Sequence, residues 1–257
     1  MAEKELVQSV DRAMDLLFCF TTSEPTLTMK DFLERTDLKR PTIFRLLNTL
    51  ISKGLIEKTD QGDYKLGFPF IRFAQIVTES LDVRQASMKN LKALSSELGE
   101  SVSLNILQAN RRICIDKVDG TQDLTHYVRL GIHYPLVKGA SGKIFLAYSD
   151  RNFTEEVIQE WEREHNKEID RSNYYKELNY FKEQQVAVSK NDRVTGAYSI
   201  SSPIFDSNDL MIAALTISGH AGRLDEEMEQ NMIEKVKKAA NEISKKMGHK
   251  KLEVQHG

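Results

Sequence analysis

Leu38-Lys39-Arg40-Pro41-Thr42-Ile43-Phe44-Arg45-Leu46-Leu47-Asn48-Thr49-Leu50 is the stretch on which the fold of the N-terminal part turns. Ile43, Leu46, Leu47 and Leu50 recur at three- and four-residue steps, which places them on one side of a helix. Pro41 suits the first turn, where a missing N–H does no harm. Gly54 suits the position just past the end. The spacing predicts a helix over about 41–53 with a buried apolar stripe. Its other side shows Lys39, Arg40, Thr42, Arg45 and Asn48.

Working outward, Asp37-Leu38-Lys39-Arg40 separates this helix from a second one, expected over about 28–36. Met29, Phe32 and Leu33 face inward there, and Thr28 with Asp31 fits an N-terminal capping pattern. Ser23, Glu24 and Pro25 end an amphipathic helix over 7–20, whose apolar residues stand at 7, 10, 13, 14, 17 and 20. On the other side, 55–58 and 64–66 alternate apolar and polar residues around the turn 59–63, which reads as a small β-hairpin. Helix, break, helix and hairpin in that order form a winged helix-turn-helix.

The chain as a whole has 257 residues and a net charge of -2, so it is not a generally basic protein. From Lys39 to Lys58, however, the local balance is +4. A charged helix face alone is usually only solvated surface. The full order of elements with a basic cap favours double-stranded DNA instead. Arg and Lys pair with guanine edges or phosphates, Thr with thymine methyls or phosphates, and Asn with adenine. Lys58 and Lys65, on either side of the turn, are placed to meet the flanking backbone. The expected DNA contacts are therefore Lys39, Arg40, Thr42, Arg45, Asn48, Lys58 and Lys65.

Residues 68–98 return to helical spacing, and Phe70, Ile71, Phe73, Ala74, Ile76, Val77 and Leu81 are apolar on too many sides for a free linker. They read as connecting helices that also pack on a partner chain. Beyond Gly99 the period becomes that of strands, expected at 102–107, 112–118, 124–130, 186–189, 198–205 and 211–218. Helices are expected at 142–148, 154–164, 174–185 and 225–247. The fold class is α+β, organised as 1–67, 68–98 and 99–257. Residues after Met247 read as a frayed tail.

No run reaches the roughly 18 apolar residues of a membrane span, and charges occupy the place of a signal peptide's apolar stretch. Cys19 and Cys114 form no framework, which suits a reducing compartment. The cytosol is the default. Gly139-Ala140-Ser141-Gly142-Lys143 lacks phosphate-loop spacing. No hydrolase elbow and no metal-ligand spacing among the six His is present, so no enzyme, cofactor or metal is expected. Trp161 reads as the packing anchor of its helix.

The stretch 38–50, with Gly54-Leu55-Ile56 and Tyr64-Lys65-Leu66-Gly67, resembles the IclR family of bacterial transcription regulators. That family usually carries Ser-Thr where Pro41-Thr42 stands and His where Phe44 stands. The resemblance continues through Gly131-Ile132-His133-Tyr134-Pro135-Leu136, Ala140-Ser141-Gly142-Lys143, Ser202-Pro203-Ile204-Phe205-Asp206 and Ile217-Ser218-Gly219. It covers about residues 6–247. It implies a GAF-like effector domain, a small effector such as a carboxylate or an aromatic acid, and a dimer or dimer of dimers on operator DNA.

The resemblance also places a ligand pocket among Ala140, Ser141, Gly142, Ser189, Ser199, Thr216 and Ser218. Backbone N–H groups of 140–142 at a helix start would form an anion site, and hydroxyls at alternate strand positions would face the ligand. The bland reading is that such hydroxyls bond local backbone. Segment 188–192 lacks two acidic residues common in the family and gains Lys190. With Lys138, this predicts an anionic effector. The competing function is a metabolite-sensing protein-interaction module without specific DNA binding.

Overall fold

The computed structural model describes residues 6–79, 82–121 and 128–250. The chain divides into two compact units between Ser80 and Leu81.

The first unit contains α1 (Gln8–Phe18), β1 (Thr26–Leu27), α2 (Met29–Arg35), α3 (Arg40–Ser52), β2 (Ile56–Lys58), β3 (Tyr64–Leu66) and α4 (Pro69–Glu79). Thr28 starts α2 with the expected reciprocal cap: its hydroxyl accepts from Asp31 N–H, and its own N–H donates to Asp31 at 2.7 Å. Ile43, Leu47 and Leu50 of α3 are buried with Leu16, Leu27, Phe32, Ile56 and Tyr64. The hairpin forms, but it is joined by β1 into an antiparallel sheet ordered β1-β3-β2. A two-residue strand has no periodicity to read, so β1 was not foreseen. The wing closes tightly on the end of α3. Gly67 donates to Leu55 O, and a Cβ at Gly67 would sit 1.9 Å from the Gly54 carbonyl oxygen.

The apolar residues of α1 do not all turn inward. Leu16 and Cys19 are buried, while Val7, Val10, Met14 and Phe18 are exposed. Phe68, Ile71, Phe73 and Ile76 in and beside α4 are exposed as well.

The second unit contains α5 (Asp82–Leu98), β4 (Ser101–Gln108), β5 (Arg111–Val118), β6 (His133–Pro135), α6 (Ala140–Tyr148), α7 (Arg151–His165), α8 (Arg171–Gln184), β7 (Ala187–Lys190), β8 (Ala197–Phe205), β9 (Met211–His220) and α9 (Glu226–Lys246). Its six strands form one antiparallel sheet ordered β6-β5-β4-β9-β8-β7. One face is apolar: Val102, Leu104, Ile200, Ile204, Leu215 and Ile217 pack with Leu91, Leu94, Met232, Val236 and Ile243 of α5 and α9. The other face gives Ala187 and Ala214, with the partly buried Met211, to a second core formed with Ile144, Phe145, Trp161, Tyr174 and Phe181. Trp161 is buried there, as expected for a packing anchor. Asp150, Asp170 and Asp225 cap α7, α8 and α9.

Two expectations are corrected. Of the strand expected at 124–130, residues 124–127 lie outside the described residues. Val128 and Arg129 form no strand, and Leu130 makes only an isolated bridge to Cys114. The edge strand is β6, inside the segment 131–136. The tail is not frayed throughout: His249 stacks on Phe205 at 5.3 Å and lies 3.2 Å from Asp209 Oδ1. Residues 251–257 lie outside the described residues.

Candidate functional site

Two surfaces carry chemistry, one in each unit. On α3, opposite its buried stripe, Lys39, Arg40, Arg45 and Asn48 are exposed and Thr42 is half-buried. Phe44 lies on the same helix with half its surface exposed. It was not among the expected contacts, yet an exposed aromatic there can meet a thymine methyl. Lys58 and Lys65 are exposed on the wing. Lys65 pairs with its cross-strand neighbour Glu57 at 3.1 Å, and Lys58 sits 5.8 Å from the centre of the Tyr64 ring. Part of the wing's charge is thus offset within the wing.

In the second unit, strand register gathers the expected hydroxyls on one face. Ser189 lies opposite Ser199, Ser199 opposite Ser218, and Thr216 opposite Ser201. With Ser141, Gly139 and Asp192 they line a cavity of about 30 Å³. That is room for only a few water molecules. Most of these hydroxyls already have protein partners. Ser199 Oγ accepts from Ala140 N–H at 3.1 Å, Ser189 Oγ donates to Asp192, and Thr216 shares hydrogen bonds with Ser201 and Asn105. A hydroxyl has one donor and two acceptor sites, so each retains capacity for a ligand.

The expected open anion site at the start of α6 is largely engaged. Ala140 N–H serves Ser199, Gly142 N–H bonds Gly139 O, and Gly139 N–H donates to Asp192 at 2.9 Å. Asp192 is an anion the chain itself supplies. It also accepts from Lys138 at 2.8 Å and lies 3.1 Å from Lys143. Burial would raise its pKa, but the Gly139 N–H and the two lysines outweigh that and hold the carboxyl below its usual range.

Lys190 is therefore corrected as a ligand contact, and Lys138, read only as a further positive charge near the loop, is paired within the protein. Lys138 is paired with Asp192 and lies 5.6 Å from the Trp161 ring centre. Lys190 alternates to the opposite face from Ser189 and pairs with Glu229 at 2.5 Å. Side chains one apart on a strand point to opposite faces, so Ser189 and Lys190 cannot serve one pocket.

The cation at the cavity is one that the sequence reading passed over. Arg112, on β5, is buried at 2% exposure and lines the cavity with Arg193. Its Nη1 donates to Asn105 Oδ1 at 3.0 Å, and its guanidinium lies 4.7 Å from the Tyr134 ring centre. Arg193 lies 5.0 Å from the same ring. Desolvation, then the charge of Arg193, pushes the Arg112 pKa down to about 9, still a cation at neutral pH.

Gly142 fixes how closely α6 approaches the backbone at Leu136. A Cβ there would lie 2.3 Å from the Leu136 carbonyl oxygen. Gly142→Ala is expected to destabilise the second unit by about 1–3 kcal/mol, because backbone must move aside. Urea unfolding measures this; an unchanged midpoint would show that the helix has room to shift.

Among the described residues, no helix is long and apolar enough to cross a membrane. The profile described as the IclR helix-turn-helix domain matches residues 9–60, and that of the bacterial transcriptional regulator IclR C-terminal domain matches 75–245. The HTH-type transcriptional regulator KipR of Bacillus subtilis is 28% identical over 94% of this chain and 98% of its own. The IclR crystal structure from Thermotoga maritima superposes with a TM-score of 0.80 at 24% identity, covering 95% of this chain and 100% of that one. An IclR homologue from Microbacterium hydrocarbonoxydans, crystallised with 4-hydroxybenzoate, superposes at 0.79 with 18% identity, covering 93% and 98%.

Proposed function

The chain belongs to the IclR family of bacterial transcriptional regulators, and on that premise we propose that its winged helix binds a two-fold operator while its second unit senses a small anionic metabolite. One observation carries the DNA reading. The face of α3 opposite the buried stripe exposes Lys39, Arg40, Arg45 and Asn48 together, at the helix start that enters a major groove. Thr42, Lys58 and Lys65 complete the proposed contacts, and Phe44 joins them.

In this reading residues 1–67 bind DNA, 68–98 connect, and 99–257 sense. The chain acts in the cytosol, without catalysis. A two-fold operator needs paired half-sites, so the working form is a homodimer or a dimer of dimers. The exposed apolar residues of α1 and α4 supply the surface for the partner copy. The sensing reading is supported by hydroxyls, Asp192 and Arg112 converging on one cavity. The relative bound to 4-hydroxybenzoate sets a precedent for a carboxylate. The ligand changes DNA affinity only through different affinities for two arrangements of the protein.

Footprinting and fluorescence anisotropy on the DNA flanking the gene, across a salt series, test this. A protected near-palindrome with affinity falling steeply in salt is the expected result. Arg45→Ala is expected to lose about 1–3 kcal/mol of operator affinity, and Lys58→Ala to reduce the salt slope by about 1. Weak binding indifferent to sequence, unchanged by Arg45→Ala, would remove the DNA reading in favour of a partner-binding module.

A further inference from the structure

We propose that Arg112 is the residue of the cavity that grips the ligand's carboxylate, using the donor its own neighbours leave unused. The assignment rests on the sensing function proposed for the second unit and names the residue that recognises the anion.

Arg112 carries a charge that the fold buries and does not neutralise. It is 2% exposed. Among the described residues no carboxylate forms an ion pair with it, and its Nε–H has no hydrogen-bond partner. Buried charges are ordinarily paired. The nearest candidate acid at the cavity, Asp192, is committed to Lys138, Lys143 and the Gly139 N–H.

The guanidinium is nonetheless held in place. Tyr134 lies against it, and Asn105 Oδ1 accepts from Nη1. Asn105 is itself fixed by Ser103 and Thr216, and Thr216 by Ser201. All of these are buried polar side chains on the sheet face below the cavity. A rigid, desolvated guanidinium with an unused donor is built to grip a carboxylate at two points.

The rest of the wall is mixed. Ser189, Ser199, Thr216 and Ser218 bring hydroxyls, and Val128, Val194, Ala197 and Tyr198 bring apolar surface for the body of the acid. The small cavity favours a compact ligand, and its walls must part to admit one.

The test uses the full chain, isothermal calorimetry and thermal melting. The probes are glycerate and gluconate, their uncharged counterparts glycerol and gluconamide, and benzoate with 4-hydroxybenzoate. At least one of the four acids is expected to bind and raise the melting temperature, and the uncharged pair to do neither. Arg112→Gln is expected to weaken the acid by about 30-fold or more. Its melting without ligand should not fall, since an unpaired buried charge has been removed. Should Arg112→Gln not fold, Arg112→Lys keeps the charge without the two-point fork and is expected to weaken binding about 10-fold.

Binding of an acid unaffected by either substitution, or no binding of any of the four acids, overturns the assignment. Operator footprints of the wild type and of Arg112→Gln, taken with and without each acid, keep the broader reading separate. Release of both proteins alike by an acid would leave a sensor standing in which Arg112 is not the grip.

Discussion

Phe32→Ala is expected to cost the first unit about 3–5 kcal/mol, the range for emptying a buried aromatic site. Phe32 is fully buried. Its ring meets Phe20 at 5.7 Å and Tyr64 at 5.8 Å, both edge-to-face. It therefore joins the segment after α1, the helix α2 and the wing strand β3 through one side chain. A small domain has only about 5–15 kcal/mol of stability in all. Most of the first unit's margin should go, and operator binding with it. The second unit has its own two cores. Calorimetry of the variant should show the first unit's transition shifted down or lost, and a transition for the second unit at its wild-type temperature. Phe44→Ala provides the contrast. Its ring is half exposed on α3, so stability should change by no more than about 0.5 kcal/mol, while operator affinity falls. If Phe32→Ala moved both transitions equally, the division of the chain at Ser80 would not be a division in stability.

The difference between what the residues disclosed and what they withheld follows from local against non-local forces. The helices α2 and α3 and the Thr28–Asp31 cap are set by neighbours within four residues, and the hairpin by partners no more than ten apart across one turn, and they were legible. So were the sheet strands β4, β5, β8 and β9, whose β-rich runs are long. The edge strand β6 is three residues long, and its position depends on pairing with β5 rather than on its own pattern. Which side of α1 is buried is decided by where α3 lies, and α1's apolar residues offer two sides. At the cavity, the alternation of hydroxyls was readable from strand periodicity. Arg112 was not. In Arg111-Arg112-Ile113-Cys114 both arginines look alike, yet Arg111 pairs with Glu160 and Glu164 near the surface while Arg112 turns inward. Only alternation along a paired strand tells them apart. Lys190 failed for the same reason in reverse: next to a serine that faces the cavity, it had to face away.

Asp192→Ala is expected to destabilise the second unit by about 3–5 kcal/mol, as when one member of a buried ion pair is removed. The carboxylate is 13% exposed and joins Lys138 and Lys143. It also accepts from Gly139 N–H and the Ser189 hydroxyl, and lies at the start of α6, where an anion is favoured. Its loss leaves Lys143, 10% exposed, with Glu177 alone. The pH dependence has a definite sign. The folded carboxyl titrates below the ordinary carboxylate range. A depressed pKa contributes stability that is complete above the unfolded value and is lost as pH falls through the folded one. The gap between wild type and variant, measured by urea unfolding, should therefore hold from pH 7 down to about 4 and close below it. A gap that persists unchanged in acid would assign the effect to packing instead of charge. Lys190→Ala should behave differently, because its pair with Glu229 lies on the other face and Lys190 is 44% exposed. Exposed pairs contribute about 0–1 kcal/mol. A loss for Lys190→Ala as large as that for Asp192→Ala would mean that the sheet's outer face, not the ion cluster at the start of α6, holds this end of the second unit together.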